Sequence, residues 1–245
     1  VGAVTKRYGQ SVAATSSSTP TGRGFSDAAA MHALTALSGP YLPWGSGAMR
    51  PAGLVTVCND IVLNERRRIV ELGSGISTVL LARLMTQRPP HGGFLIASVE
   101  HDPLWARWVR AQLDREGVGA DVTIVQAPLL PHPRAESGMS WYDEAALAQG
   151  LGEALGTDPI DLLLVDGPPA HAAGHGLSRY PALPVLESRL TPGATVVLDD
   201  VERPGEQEVL RRWEQETGLA FDRSLESGGV AVARMAAEGP GGGHG

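Results

Sequence analysis

The chain reads as an α/β protein built on a doubly wound sheet of seven strands, and three observations predict this. Short continuous apolar runs alternate with amphipathic helical stretches from residue 66 onward. The first run ends in a glycine-rich turn, Glu71-Leu72-Gly73-Ser74-Gly75, and four of the five runs that read as parallel strands end in acidic residues. Unbroken apolar runs of strand length mark strands covered on both faces, and their alternation with helices marks a parallel sheet.

Residues 1–24, rich in Ser, Thr, Gly and Ala, read as a flexible leader. A Ser/Asp cap opens a short helix over 26–37, and the stretch GPYLPWGSG at 39–47 is a loop punctuated by proline and glycine. Pro51 starts a second helix over 51–64, so 25–65 forms an N-terminal helical extension with a lid loop. The sheet domain spans 66–235. Its strands are RIVEL (68–72), GFLIASVE (93–100), DVTIVQA (121–127), IDLLLVDG (160–167) and ATVVLDD (194–200). Helical spacing appears at 77–85, 103–116 and 181–190, the second opened by Asp102 and Pro103. A helix over 205–217 precedes LAFDRSL and GVAVARM, which read as a terminal hairpin and bring the strand number to seven. The tail, 236–245, is too rich in glycine to fold.

Composition excludes several chemistries. Of 20 basic residues in the 245, only Lys6 is a lysine, and it lies in the leader. A Schiff-base lysine is therefore missing from the folded part, and no G-x-x-x-x-G-K-[ST] phosphate loop exists. The net charge of −7 argues against nucleic acid as a partner. A lone Cys58 excludes an internal disulfide and suits a reducing, cytoplasmic setting; the thiol reads as a packed helix residue. No apolar run reaches the roughly 18 residues a membrane span needs.

Ligands of such sheets bind outside the carboxyl ends of the strands. Those ends carry Glu71, then Glu100-His101-Asp102, then Asp166-Gly167, then Asp199-Asp200. Each acid could be a helix cap or turn former, but four clustered strand ends point to a site. The Glu71–Gly75 turn lets a ligand approach the backbone. A dinucleotide fingerprint would need glycine at 78, where Thr78 stands. Glu100 is placed to accept from the two hydroxyls of a ribose.

VELGSGIST, SVEHD, DLLLVDGPP and LTPGATVVLDD together resemble the successive motifs of class I S-adenosylmethionine-dependent methyltransferases, over about residues 51–235. The resemblance implies a Rossmann-like seven-stranded sheet with its last strand antiparallel. It implies that Glu71, Gly73, Ser74 and Gly75 hold the methionine moiety, Glu100 the ribose, with His101 on the border. Gln126, Ala127 and the two residues after them would flank the adenine, and Asp166 would face cofactor and acceptor alike.

Asp166, Asp199 and Asp200 further resemble the ligands of the metal-dependent small-molecule O-methyltransferases. Three oxygen donors of this kind suit Mg²⁺, which would lower the pKa of an acceptor hydroxyl and orient it. Otherwise Asp166 contacts the substrate directly while Asp199 and Asp200 cap the next helix. Several such enzymes look to a lysine base, which this domain lacks. His171 and His175, close after Asp166, are the base candidates, with solvated loop histidines as the plain alternative.

Two loops carry aromatics suited to covering an apolar acceptor: 39–50 with Tyr41 and Trp44, and 131–144 with Trp141 and Tyr142. Trp105, Trp108 and Trp213 read as core. The expected activity is methylation of a hydroxyl on a small, natural-product-like molecule. Metal-independent transfer to nitrogen, carbon or a carboxylate is the alternative, followed by a nicotinamide oxidoreductase and a silent cofactor-binding scaffold. No G-x-S-x-G elbow supports a serine hydrolase. The acceptor pocket depends on loops and on any neighbouring copy, so a homo-oligomer stays open.

Overall fold

The computed structural model describes residues 26–45, 47–135, 139–171, 174–223 and 228–237. The leader at 1–24 and the tail beyond 237 lie outside the described residues, as does part of the stretch expected to form the hairpin turn.

The chain opens with helices α1 (Asp27–Leu34) and α2 (Pro51–Leu63). Strand β1 (Arg68–Leu72) leads into α3 (Ile76–Gln87), β2 (Leu95–Glu100) into α4 (Pro103–Glu116), and β3 (Val122–Gln126) follows. Two short strands, β4 (Leu129–Pro131) and β5 (Ser140–Tyr142), pair antiparallel as a separate ribbon. Then come α5 (Glu144–Leu155), β6 (Ile160–Val165), α6 (Ala182–Leu186), β7 (Leu190–Leu198), α7 (Pro204–Thr217) and β8 (Ala231–Arg234).

The main sheet has the order β3-β2-β1-β6-β7-β8, parallel throughout except β8, which runs antiparallel to β7. The expected seventh strand is reduced to one bridge: Asp222 meets Val232 without extending a ladder. The paired strands in the main sheet therefore number six among the described residues. The order reverses between β1 and β6, which leaves a crevice at their carboxyl ends.

Burial on both faces explains the continuous apolar runs. Along β1, Ile69 joins one core, with α2, α3 and α4, while Val70 and Leu72 join the other, with α5, α6 and α7. In β6, Leu162 and Leu164 divide from Leu163 and Val165 in the same way. Each such side chain contributes about 1.5–3 kcal/mol when buried. Helix α4 shows how local signals fix the ends. The Asp102 carboxylate accepts from the Leu104 and Trp105 amides, Pro103 occupies the first turn, and Gly117 at φ +67 closes the helix. No helix among the described residues is long and apolar enough to cross a membrane.

Candidate active site

The turn after β1 is held from behind. Gly73 adopts φ +96, which glycine alone takes readily, and its amide donates to the Val99 oxygen at 2.9 Å. Thr78, standing where a dinucleotide fold would have glycine, accepts from the Gly75 amide at 2.9 Å. The same hydroxyl donates to Glu71 Oε2 at 2.5 Å, and Ser98 Oγ donates to that oxygen at 2.6 Å. Glu71 is wholly buried and burial raises its pKa. Glu71, expected at the cofactor, is not among the residues lining the cleft; its Oε2 takes the Thr78 and Ser98 hydroxyls and so fixes Thr78.

A cleft of about 250 Å³ opens over the carboxyl ends of β1, β2, β6 and β7. Gly73 and Ser74 line it; Gly75 lines an adjoining hollow of about 300 Å³ that shares Ser74, Trp105 and Asp166 with the cleft. Glu100 Oε1 accepts from the His101 and Asp102 amides, both at 2.8 Å, which locks the carboxylate at the end of β2. His101 Nδ1 lies 2.9 Å from the same oxygen, and that hydrogen bond, outweighing burial, raises the imidazole pKa.

Trp105, expected in the core, is partly buried against it and also lines the cleft. Its Nε1 donates to the Ser74 oxygen at 2.7 Å, and its ring stacks on Trp108 with centroids 4.7 Å apart. Gln126 and Ala127 are not brought into the cleft. Ala127 is buried in the core, and Gln126 faces a separate depression with Gln149 and Gly150.

Asp166, Asp199 and Asp200 do converge, with one carboxylate oxygen of each lying within 4.8 Å of the others. Asp200 sits at φ +62, a left-handed conformation that Asp tolerates better than most residues. Between the acids lies Arg179, buried, which sequence reasoning missed. Its Nη2 donates to the Asp166 main-chain oxygen at 2.6 Å and stands 3.3 Å from Asp166 Oδ1 and 3.0 Å from Asp200 Oδ2. Its Nη1 donates to the Asp199 oxygen at 3.1 Å and Nε to the Pro168 oxygen at 3.3 Å. Arg203 adds a second cation, 2.7 Å from Asp200 Oδ2.

Asp199 has no arginine on its carboxylate among the described ion pairs. Burial, then the Asp200 charge, push its pKa up to about 7 despite Arg179. Burial and the Asp199 charge likewise raise Asp166 well above the carboxylate range. The one sequence signal for Arg179 was a cation embedded in HGLSRYPALPVL, an otherwise apolar approach to a helix.

Of the two histidines, His171 lines the cleft and His175 does not; the His175 main chain accepts from the Ser178 amide in a turn. The lid expectations are corrected in detail. Tyr41, 87 % exposed, and Trp44 border an apolar hollow beside α1, whereas Gly47 and Ala48 of the same loop reach the cleft. Trp141 is fully buried on β5 and Tyr142 is buried beside it, their rings edge to face. The 131–144 stretch holds the end of β4, all of β5 and the start of α5, and only Tyr142 of its two aromatics lines the cleft.

The covering loop is pinned at both ends. Arg83 donates to the Leu37 and Pro40 oxygens at 3.0 Å each and pairs with Glu116 at 2.6 Å. Arg50 pairs with Asp27 at 3.0 Å and with Glu202, just past the acid pair, at 2.7 Å.

The profile described as a methyltransferase domain matches residues 70–201, a span that begins in β1 and ends just past Asp200. The chain belongs to this methyltransferase family. As a methyltransferase it also resembles solved structures. The O-methyltransferase TomG from Streptomyces achromogenes, solved with SAM, is 19 % identical with TM-score 0.51, covering 86 % of this chain and 90 % of that one. An O-methyltransferase from Bacillus cereus in complex with SAH is 14 % identical with TM-score 0.52, covering 85 % and 90 %. At these identities the likeness is one of fold. No curated protein matches the methyltransferase by sequence.

Proposed function

We propose that this methyltransferase moves the methyl group of S-adenosylmethionine to a hydroxyl oxygen of a small molecule, with Mg²⁺ at Asp166, Asp199 and Asp200. The observation that carries the reading is the opening of the acid triad into the same cleft as Ser74 and Glu100. The two structural neighbours solved with SAM and SAH support the cofactor. The donor set fits a divalent ion in chemistry and in charge. The four carboxyl groups of Asp166, Asp199, Asp200 and Glu206 outnumber the two guanidinium groups of Arg179 and Arg203, and a divalent ion would favour the ionised form of the raised Asp166 and Asp199.

Mg²⁺ bound there would act as a Lewis acid on the acceptor hydroxyl. The chain's own residues do the rest. Glu100, with Oε1 fixed by two amides, would accept from the ribose hydroxyls through its other oxygen. The Gly73-Ser74 backbone would border the methionine arm, steadied by the Trp105 bond to Ser74. Gly47 and Ala48 would exclude water from above. His171 would take the acceptor proton, an assignment that His175 does not share by position.

Arg179 favours a second reading. Because it already partners two of the three carboxyl groups, transfer without metal is a coherent alternative, with Asp166 and Asp200 held in place by the guanidinium. Thermal-shift titration with adenosylhomocysteine, with and without Mg²⁺, followed by assays of phenolic acceptors in EDTA, tests both. A raised midpoint with the nucleoside and loss of turnover on chelation are expected. No shift at saturating nucleoside defeats the cofactor, and full turnover in EDTA defeats the metal.

A further inference from the structure

We propose that the Tyr142 hydroxyl is a binding group for the sulfonium nucleoside, placed where the turn after β1 meets the turn after β6. This rests on the S-adenosylmethionine reading above and adds to it a residue from outside the strand-end motifs. Tyr142 closes β5, is 1 % exposed, and lines the cleft together with Glu100, Gly73 and Gly167. Its oxygen abuts Gly167: a Cβ there would collide with Tyr142 Oη and come within 2.9 Å of the Gly73 nitrogen. The two glycines thus lie back to back, with the hydroxyl against their seam.

Tyr142 Oη has no hydrogen-bond partner among the described residues. A phenol hydroxyl offers one donor and acceptor lone pairs, and buried polar groups in folded proteins are nearly always satisfied. Tyr180 Oη meets that rule by donating to the Glu216 carboxylate at 2.7 Å, and Ser98 and Thr78 by donating to Glu71, whereas Trp141 Nε1, Ser178 Oγ and one oxygen each of Glu71 and Glu206 share the unpartnered state of Tyr142. A second unpartnered hydroxyl, Ser74 Oγ, lies on the neighbouring wall of the same cleft. Two residues from separate elements, each with an unsatisfied buried hydroxyl, thus line one cleft. A tyrosine whose only purpose was packing would be better as phenylalanine, since the hydroxyl is taken out of water with nothing in return. A polar ligand held by Glu100 and Ser74 in that cleft would supply the missing partner.

Binding of adenosylhomocysteine to the full chain and to Tyr142→Phe, followed by isothermal titration calorimetry, tests this alongside melting of the ligand-free proteins. The wild-type protein must bind first; if it does not, the cofactor reading itself fails and this inference with it. Given binding, Tyr142→Phe is expected to raise Kd about two- to tenfold, the loss of one hydrogen bond. Its ligand-free melting temperature should match or exceed the wild-type value. An unchanged Kd overturns the assignment. So does a lowered ligand-free melting temperature, because the hydroxyl would then have a partner within the protein.

Discussion

Arg179 Nη2 lies 2.6 Å from the main-chain oxygen of Asp166, so a guanidinium closes the end of the strand that carries the first acid of the triad. The same side chain reaches the Asp199 oxygen and the Asp200 carboxylate, and thereby ties the ends of β6 and β7 into one unit.

Removing that cation should be costly. Arg179→Met leaves Asp166, Asp200 and Glu206 with less countercharge in a buried setting. A loss of about 3–5 kcal/mol is expected, the usual effect of breaking a buried ion pair. Urea denaturation monitored by circular dichroism measures it.

The acid pair predicts a pH dependence. Asp199 in the folded protein is pushed up to about 7, above the roughly 3.9 of an unfolded aspartate. Between those values the folded state holds the proton more tightly. Stability from this group is therefore full below about pH 4 and is lost as pH rises toward 7. Metal-free protein should be less stable at pH 8 than at pH 5, and Asp199→Asn should flatten the slope. Denaturant midpoints in EDTA at the two pH values decide it.

Gly167→Ala should be damaging despite its single methyl. The new Cβ meets Tyr142 Oη and the Gly73 backbone, neither of which is the loose end of a flexible side chain. Overpacking of about 1–3 kcal/mol is expected. Adding Tyr142→Phe should restore only part of the loss, since the contact with Gly73 persists; a thermal melt of both variants compares them.

Glu116 contributes through Arg83. Burial alone would raise its pKa, but hydrogen bonds from Arg83 and Gln112 with the Arg83 charge outweigh that and lower it. Its stabilisation is present above the unfolded carboxylate pKa and is lost as pH falls through the folded one. Glu116→Ala is expected to lose about 3 kcal/mol at pH 7 and less at pH 3, read from denaturant midpoints.

Strand positions and acidic strand ends were legible because each depends on a few adjacent residues. RIVEL coincides with β1, and helix α4 begins and ends at the predicted residues because Asp102, Pro103 and Glu116-Gly117 are local signals. Helix α5 went unread because Gly150 and Gly152 interrupt its pattern. Gly150 is nonetheless suited to the packing, since a Cβ there would strike Val125 of β3. The three-residue strands β4 and β5 carry too little pattern to predict. Arg179 was hidden for a different reason: its partners lie between 11 and 27 positions away, and only the fold brings them together. Tyr41 and Trp44 show the converse, since aromatic residues in a loop next to the site still turned to another hollow.

The two fastenings of the covering loop differ in their exposure to solvent. Arg83 and Glu116 are 6 % and 5 % exposed, whereas Arg50 and Glu202 are 45 % and 48 %. Salt weakens exposed ion pairs, with a screening length of about 10 Å at 0.1 M, and affects buried pairs much less. Rising ionic strength should therefore weaken the Arg50–Glu202 fastening beside the acid triad before the Arg83–Glu116 one, so that salt acts unequally on the two ends of the loop.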